Sequence, residues 1–207
     1  LDGPAATFEP RLSGWVSWLT DPRASRRVAV LRGGVFLDIE HTARTGLATG
    51  IQRVARQTAQ RWVDRPGVVL GAWTRDHRAL RQLDEAERES ALTGATGGHS
   101  SVPTATTVVI PWESTYVLPE LASEPDRNQR LTAMARFARS TTGVVGYDCV
   151  PVTSAETVNI GVSGTFIGNL GAVRHMDRVA AISEAAAAEY RGWRHMLTAS
   201  GIDGPDI

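Results

Sequence analysis

Apolar residues gather in five short runs: Val35 to Ile39, Val68 to Trp73, Thr107 to Ile110, Val144 to Tyr147 and Val179 to Ile182. The stretches between them carry apolar positions at helical spacing. Alternation of this kind predicts parallel βαβ units and therefore an α/β fold, a doubly wound, mostly parallel Rossmann-like sheet with strand order 3-2-1-4-5. The expected helices are Ile51 to Val63, Arg78 to Leu92, Arg127 to Arg139, a segment within Ala155 to Met176, and Glu184 to Thr198. Asp126 with Gln129 signals the start of the third, and Ser183 is the expected N-cap of the last, with Gly201 just beyond its end. Between Thr157 and Met176, four glycines disfavour a continuous helix, so a loop should come first and a helix later.

The most informative junction is the segment from Thr45 to Val54. Thr49 and Gln52 form a Thr-x-x-Gln capping box, which predicts a helix starting at Gly50. Ile51, Val54, Ala55, Thr58, Ala59 and Trp62 would face the sheet. A helix start with glycine at its first position leaves backbone N–H groups open to an anion. Arg53 or Arg44 would add a charged donor. In a doubly wound sheet the ligand crevice lies beyond the carboxyl ends of strands, where strand order reverses. That rule selects the loop Glu40 to Thr49, with His41 in it, and the loop Tyr147-Asp148-Cys149-Val150-Pro151. Trp112-Glu113 and Ser183-Glu184 would join them at greater distance.

Composition narrows the chemistry. Acidic and basic residues number 22 each, so net charge gives no nucleic-acid footprint. Every basic residue is Arg, which excludes a P-loop lysine and a Schiff-base lysine within this sequence. Cys149 is the single cysteine, so no internal disulfide forms, and the five histidines lack metal-ligand spacing. No apolar run reaches bilayer-spanning length. Neither Gly-x-Ser-x-Gly nor Gly-x-Gly-x-x-Gly is present, which argues against a nucleophile elbow and an ordinary dinucleotide fingerprint. Residues 1–31, with a short helix around Trp15, Trp18 and Leu19, read as a linker or docking arm; residues 93–106 read as a flexible loop.

Taken in order, Asp38, Thr49-Gly-Ile-Gln-Arg53-Val, Gly146-Tyr-Asp148-Cys-Val-Pro151, Phe166, Leu170 and Asp177-Arg-Val-Ala-Ala-Ile-Ser183-Glu resemble the amino-terminal half of family 4 retaining glycosyltransferases. The match spans residues 35 to 204. The resemblance implies a GT-B architecture, in which residues 32–204 are the acceptor-side Rossmann-like domain and residues 205–207 lead towards a carboxyl-terminal donor-binding domain. That second domain would carry two glutamates eight positions apart, a spacing no glutamate pair here has. A nucleotide-sugar donor, a carbohydrate or glycolipid acceptor, no cofactor and no metal are implied. So is a cytoplasmic location with peripheral contact at the inner face of the membrane. The resemblance puts the glycine loop near the donor diphosphate on Thr49, Gly50 and Ile51. Tyr147 stands where many relatives have a histidine reaching the donor sugar.

On this reading Gly50 and Ile51 offer backbone N–H groups and Arg53 adds charge to hold the departing diphosphate. Asp148 and Glu113 would orient acceptor hydroxyls, with His41, Tyr147, Ser183 and Glu184 as sugar contacts. The alternatives are a non-catalytic sugar- or nucleotide-binding module of a larger protein, and another GT-B or epimerase-like nucleotide-sugar enzyme.

Overall fold

A computed structural model describes residues 27–46, 48–95 and 107–207. Its strands are β1 (Arg27–Leu31), β2 (Val35–Asp38), β3 (Val68–Trp73), β4 (Leu80–Gln82), β5 (Thr107–Pro111), β6 (Thr115–Leu118), β7 (Thr141–Gly146) and β8 (Arg178–Ala181). The helices are α1 (Glu40–Arg44), α2 (Gly50–Trp62), α3 (Glu85–Thr93), α4 (Pro125–Phe137), α5 (Val150–Thr153), α6 (Val162–Val173) and α7 (Glu184–Ala199), with one 3-10 turn at Ala155–Thr157. Among the described residues the eight strands form one sheet in the order β1-β5-β4-β3-β2-β6-β7-β8. Pairing is parallel except at β4, which runs antiparallel to both neighbours. The fold is α/β and doubly wound, Rossmann-like, as the alternation predicts.

Period-2 alternation along the central strands splits the interior into two cores. Phe36, Tyr116, Leu118, Val144 and Val179 pack with Leu131 of α4, Phe166 of α6 and Tyr190 of α7. Leu37, Ile39, Leu70 and Ala72 pack on the other side with Ala55 and Ala59 of α2 and Ala91 of α3. Gly146 lets α7 approach: a Cβ there would stand 2.5 Å from Val179 Cγ1 and 2.7 Å from the Tyr190 ring.

The five expected strands keep their relative order, but three further strands enter the sheet. β1 occupies the end of the stretch read as an arm. β4 lies between β3 and β5, and β6 lies between β2 and β7. Residues 27–38 and 107–118 run side by side in parallel with a matched break, where Gly33 at φ 65 and Glu113 at φ 50 take left-handed conformations and Gly33 N–H donates to Glu113 O. Register is the same on both sides of the break. The second expected helix is corrected to β4 followed by α3, because Asp84 and Glu87 close a capping box that starts the helix only at Glu85. The third begins at Pro125 rather than Arg127, with proline in the first turn, where its missing N–H costs nothing. α6 starts at Val162 after the 3-10 turn and a loop, as the glycines indicate. Asp206 forms a parallel bridge with Arg178 at the edge of β8. The short helix expected near Trp15 and residues 96–106 of the expected loop lie outside the described residues. Among the described residues no helix is long and apolar enough to cross a membrane.

Candidate functional site

β2 is flanked by β3 on one side and by β6 on the other, so strand order reverses at β2, and its carboxyl end, beside that of β6, is where a doubly wound sheet ordinarily takes a ligand. The loop after β6, residues 119–124, therefore stands where the sequence reading places the loop after β7. The two loops are joined by Tyr147. Its hydroxyl donates to the Pro119 carbonyl at 2.6 Å and lies 3.3 Å from that of Ile51. Burial and the charge of Glu120 push this phenol well above its ordinary range, so it stays a hydroxyl. The start of α2, the loop after β6 and the start of the β7 loop thus share one mouth.

α2 begins at Gly50 with Thr49 as N-cap, but the expected capping box does not form. The Gln52 amide nitrogen is drawn to His41 Nδ1 at 2.9 Å, and its oxygen takes the Thr49 hydroxyl instead of the backbone. Among the described residues no side chain caps the helix, so its first N–H groups keep their capacity for an acceptor. Gly50 is exposed, and a Cβ there would meet nothing within 4 Å among the described residues. Arg53 is exposed one turn in. Arg44 is committed elsewhere: it pairs with Glu40 at 2.6 Å and donates to Trp73 O at 3.0 Å.

Beneath the mouth lies a buried charged floor. Arg127, on α4 and 1% exposed, reaches Asp38 at 3.0 Å, Glu120 at 3.3 Å and Glu40 at 3.8 Å. Asp38 Oδ2 also accepts from Trp73 Nε1 at 2.7 Å and from the Tyr116 hydroxyl. Glu120 accepts from His41 N at 2.7 Å and from both the backbone N–H and the hydroxyl of Thr42 at 3.0 Å, which uses up the start of α1. Burial works against the Arg127 charge, but the carboxylates of Asp38 and Glu120 overcome it and hold the guanidinium protonated. Burial raises the Glu40 carboxyl to about 7, with nearby Asp38 and Glu120 adding to the rise and Arg127 and Arg44 opposing it. Burial likewise raises Glu120, against the opposing pull of Arg127. The floor fixes α1, β2, β6 and α4 relative to one another.

Around the rim, Asp148 is exposed and accepts from Val150 N at 3.3 Å, an Asx turn into α5. Cys149 N–H is held by Glu189 Oε2 at 2.7 Å, and burial raises its thiol to about 11, so it is no nucleophile. Ser183 Oγ caps α7 through Ala186 N at 3.1 Å, and Glu184 pairs with Arg191 on the surface. A cavity of about 470 Å³ opens beside the mouth, lined mainly by apolar side chains including Leu121, Pro151, Ile160 and Phe166.

Thr49, Gly50, Ile51, Arg53, His41, Tyr147 and Asp148 lie on the loops and helix start at this end of the sheet, and Ser183 and Glu184 follow β8 at the same end. Glu113 does not join them. It sits before β6, at the amino end of that strand, between Arg139 at 3.4 Å and Arg32 at 3.7 Å. Thr115 to Leu118 form a strand of their own, so Trp112 and Glu113 lie in the short connection that enters β6 instead of ending at the crevice. The sequence reading passed over Glu40, Glu120, Tyr116 and Arg127. Arg127 carried a signal: it stands four positions before Leu131 on the stripe that α4 buries. No family model matches this chain, and no curated protein or solved structure is significantly similar to it.

Proposed function

We propose that the chain is the acceptor-side half of a retaining glycosyltransferase of GT-B architecture, similar to family 4, which transfers a sugar from a nucleotide-sugar donor to an acceptor hydroxyl. The observation that carries this reading is the Tyr147 bridge, which draws the uncapped start of α2 and the Asp148 loop to one mouth at the reversal point of the sheet. Transfer builds negative charge on the departing diphosphate. The N–H groups of Gly50 and Ile51 at the positive end of a 13-residue helix suit that charge, and Arg53 adds to it. These groups are fixed before the reaction, so little reorganisation is needed as charge develops. In this reading Asp148, exposed on the rim, accepts a hydrogen bond from an acceptor hydroxyl, with Tyr147 holding the loop behind it. Glu113 has no part in this mechanism.

The test is to incubate the full-length protein with a panel of labelled nucleotide sugars and saccharide or glycolipid acceptors. Nucleoside diphosphate release with a product of unchanged anomeric configuration supports the reading. Inversion, or binding without turnover for every donor, rejects it in favour of another enzyme class or a binding module.

A further inference from the structure

The cavity beside the mouth lies between the loop after β6, α5 and the first turns of α6, and its volume of about 470 Å³ falls within the ~300–1,000 Å³ range of small-molecule sites. Leu121, Pro151, Ile160, Val162 and Phe166 make its wall apolar. The three polar side chains that complete the lining already have hydrogen bonds inside the protein: Ser123 with Glu124 at 3.2 Å, Thr165 with the Gly161 carbonyl at 3.1 Å and Asn169 with the Ala122 carbonyl at 3.2 Å. Among the described residues no charged side chain lines it. An occupant therefore gains by burying apolar surface and little by hydrogen bonding.

Apolar side chains also stand in solvent around this cavity. Val150 and Val152 flank Pro151 in α5, Val162 opens α6, and Ile160, fully exposed, is part of the lining. A cluster of exposed apolar residues marks a binding surface. Its composition separates the kinds of partner. Residues 140–173 hold no basic residue, and their acids are Asp148 and Glu156. A surface that docks on a membrane carries Arg or Lys for anionic lipid, usually with Trp at the boundary, and this one has neither. A protein interface centres on Trp, Tyr or Arg anchors, and none of these lines the cavity. A phosphate would find no cation in the lining. A hydrocarbon chain of a small molecule meets none of these objections.

The cavity is continuous with the mouth. Pro151 belongs to the loop whose Asp148 turns into α5, and Leu121 lies two residues beyond Pro119, which accepts from the Tyr147 hydroxyl. We propose that the cavity holds the hydrocarbon chain of an uncharged amphiphile whose hydroxyl-bearing end lies at Asp148, and that this amphiphile is the sugar acceptor. The acceptor role rests on the transfer reading; the hydrocarbon site does not.

The test begins with the full-length protein and no nucleotide sugar. Hexyl, octyl and decyl glucosides, each below its micelle concentration, are titrated by calorimetry. Affinity should rise about fourfold for each CH₂ that the cavity buries. Thr165→Trp, which fills the cavity from an exposed helical position, and Ile160→Asp, which sets a charge in its wall, should each flatten that rise without lowering the melting temperature. Met196→Asp, at an exposed position on α7, should leave it unchanged. Affinity that does not grow with chain length, or growth that survives both cavity variants, overturns the proposal. So does sedimentation with neutral phosphatidylcholine vesicles by a protein that ignores the soluble series. In turnover assays, the octyl glycoside of whichever saccharide serves as acceptor should exceed the free saccharide in kcat/KM by about tenfold or more, an advantage that Thr165→Trp removes. Equal turnover of the two overturns the acceptor role. Absence of transfer with every donor fails the transfer reading and the acceptor role with it, and the chain-length series still decides the hydrocarbon site.

Discussion

Glu40 is the residue whose protonation state the fold changes most visibly. It is 5% exposed, one carboxylate oxygen is held by Arg44, and the other has no hydrogen-bond partner among the described residues. With a folded-state value near 7 against 4.5 for the free side chain, the folded protein holds a proton that the unfolded chain releases. Stability from this group is therefore fully present below about pH 4.5 and falls as pH rises towards 7, by at most ~3 kcal/mol. Glu120, also raised, acts in the same direction. Urea denaturation midpoints at pH 5 and pH 7.5 should show the wild type losing stability with rising pH, and Glu40→Gln should flatten that slope. An equal slope in both proteins would assign the pH dependence elsewhere. Part of this floor is legible in the sequence: Asp38 interrupts an otherwise apolar strand, and Arg127 interrupts the apolar stripe of α4. What joins them is not, because Asp38, Glu120 and Arg127 meet only once β2 and β6 pair, and no local period encodes that pairing.

Two glycines of the helix and strand elements should respond to alanine with opposite signs. Gly146 ends β7 under the Tyr190 ring and Val179, so the extra methyl overpacks the core and should destabilise by about 1–3 kcal/mol. Gly164 lies in α6 beside open space at ordinary helical φ, so Gly164→Ala should stabilise by about 0.5–1 kcal/mol. Thermal melts of both variants check the pair; destabilisation by Gly164→Ala would mean that α6 is packed more tightly than the structure has it. Long, strongly patterned elements such as α2, α7 and β3 are legible because several residues repeat one signal. The misreading from Arg78 to Leu92 has a specific cause: Leu80, Leu83, Glu87 and Ala91 fall on one helical stripe, yet Leu80 pairs across the sheet with Trp73 and Val109. β4 and β6, of three and four residues, are too short for alternation to register. β6 also follows β5 by only three residues, so no turn-length gap announces a new strand.

Across the whole molecule, those short strands set where the crevice lies. The matched break at Gly33 and Glu113 lets one pair of parallel segments serve two regions of the sheet. β1 pairs with β5 at one edge, and β2 pairs with β6 at the centre. The insertion of β6 moves Glu113 to the amino end and brings Glu120, Pro119 and the loop after them to the mouth. The end of the sheet selected by the reversal of strand order is unchanged by this insertion, because the rule depends on the carboxyl ends of the strands and not on which loops supply them. Tyr147 then fixes the mouth by contacting both the α2 start and the β6 loop.

The proposed mechanism rests on the first turn of α2 receiving the donor diphosphate, and Gly50 is the position where that claim is exposed to a single substitution. A Cβ there meets nothing within 4 Å among the described residues, so the fold should persist while the ligand's approach to the backbone is blocked. Turnover of the full-length Gly50→Val protein with its best nucleotide-sugar donor, measured beside an unchanged circular dichroism spectrum, should fall below detection. A rate equal to the wild type would contradict the account.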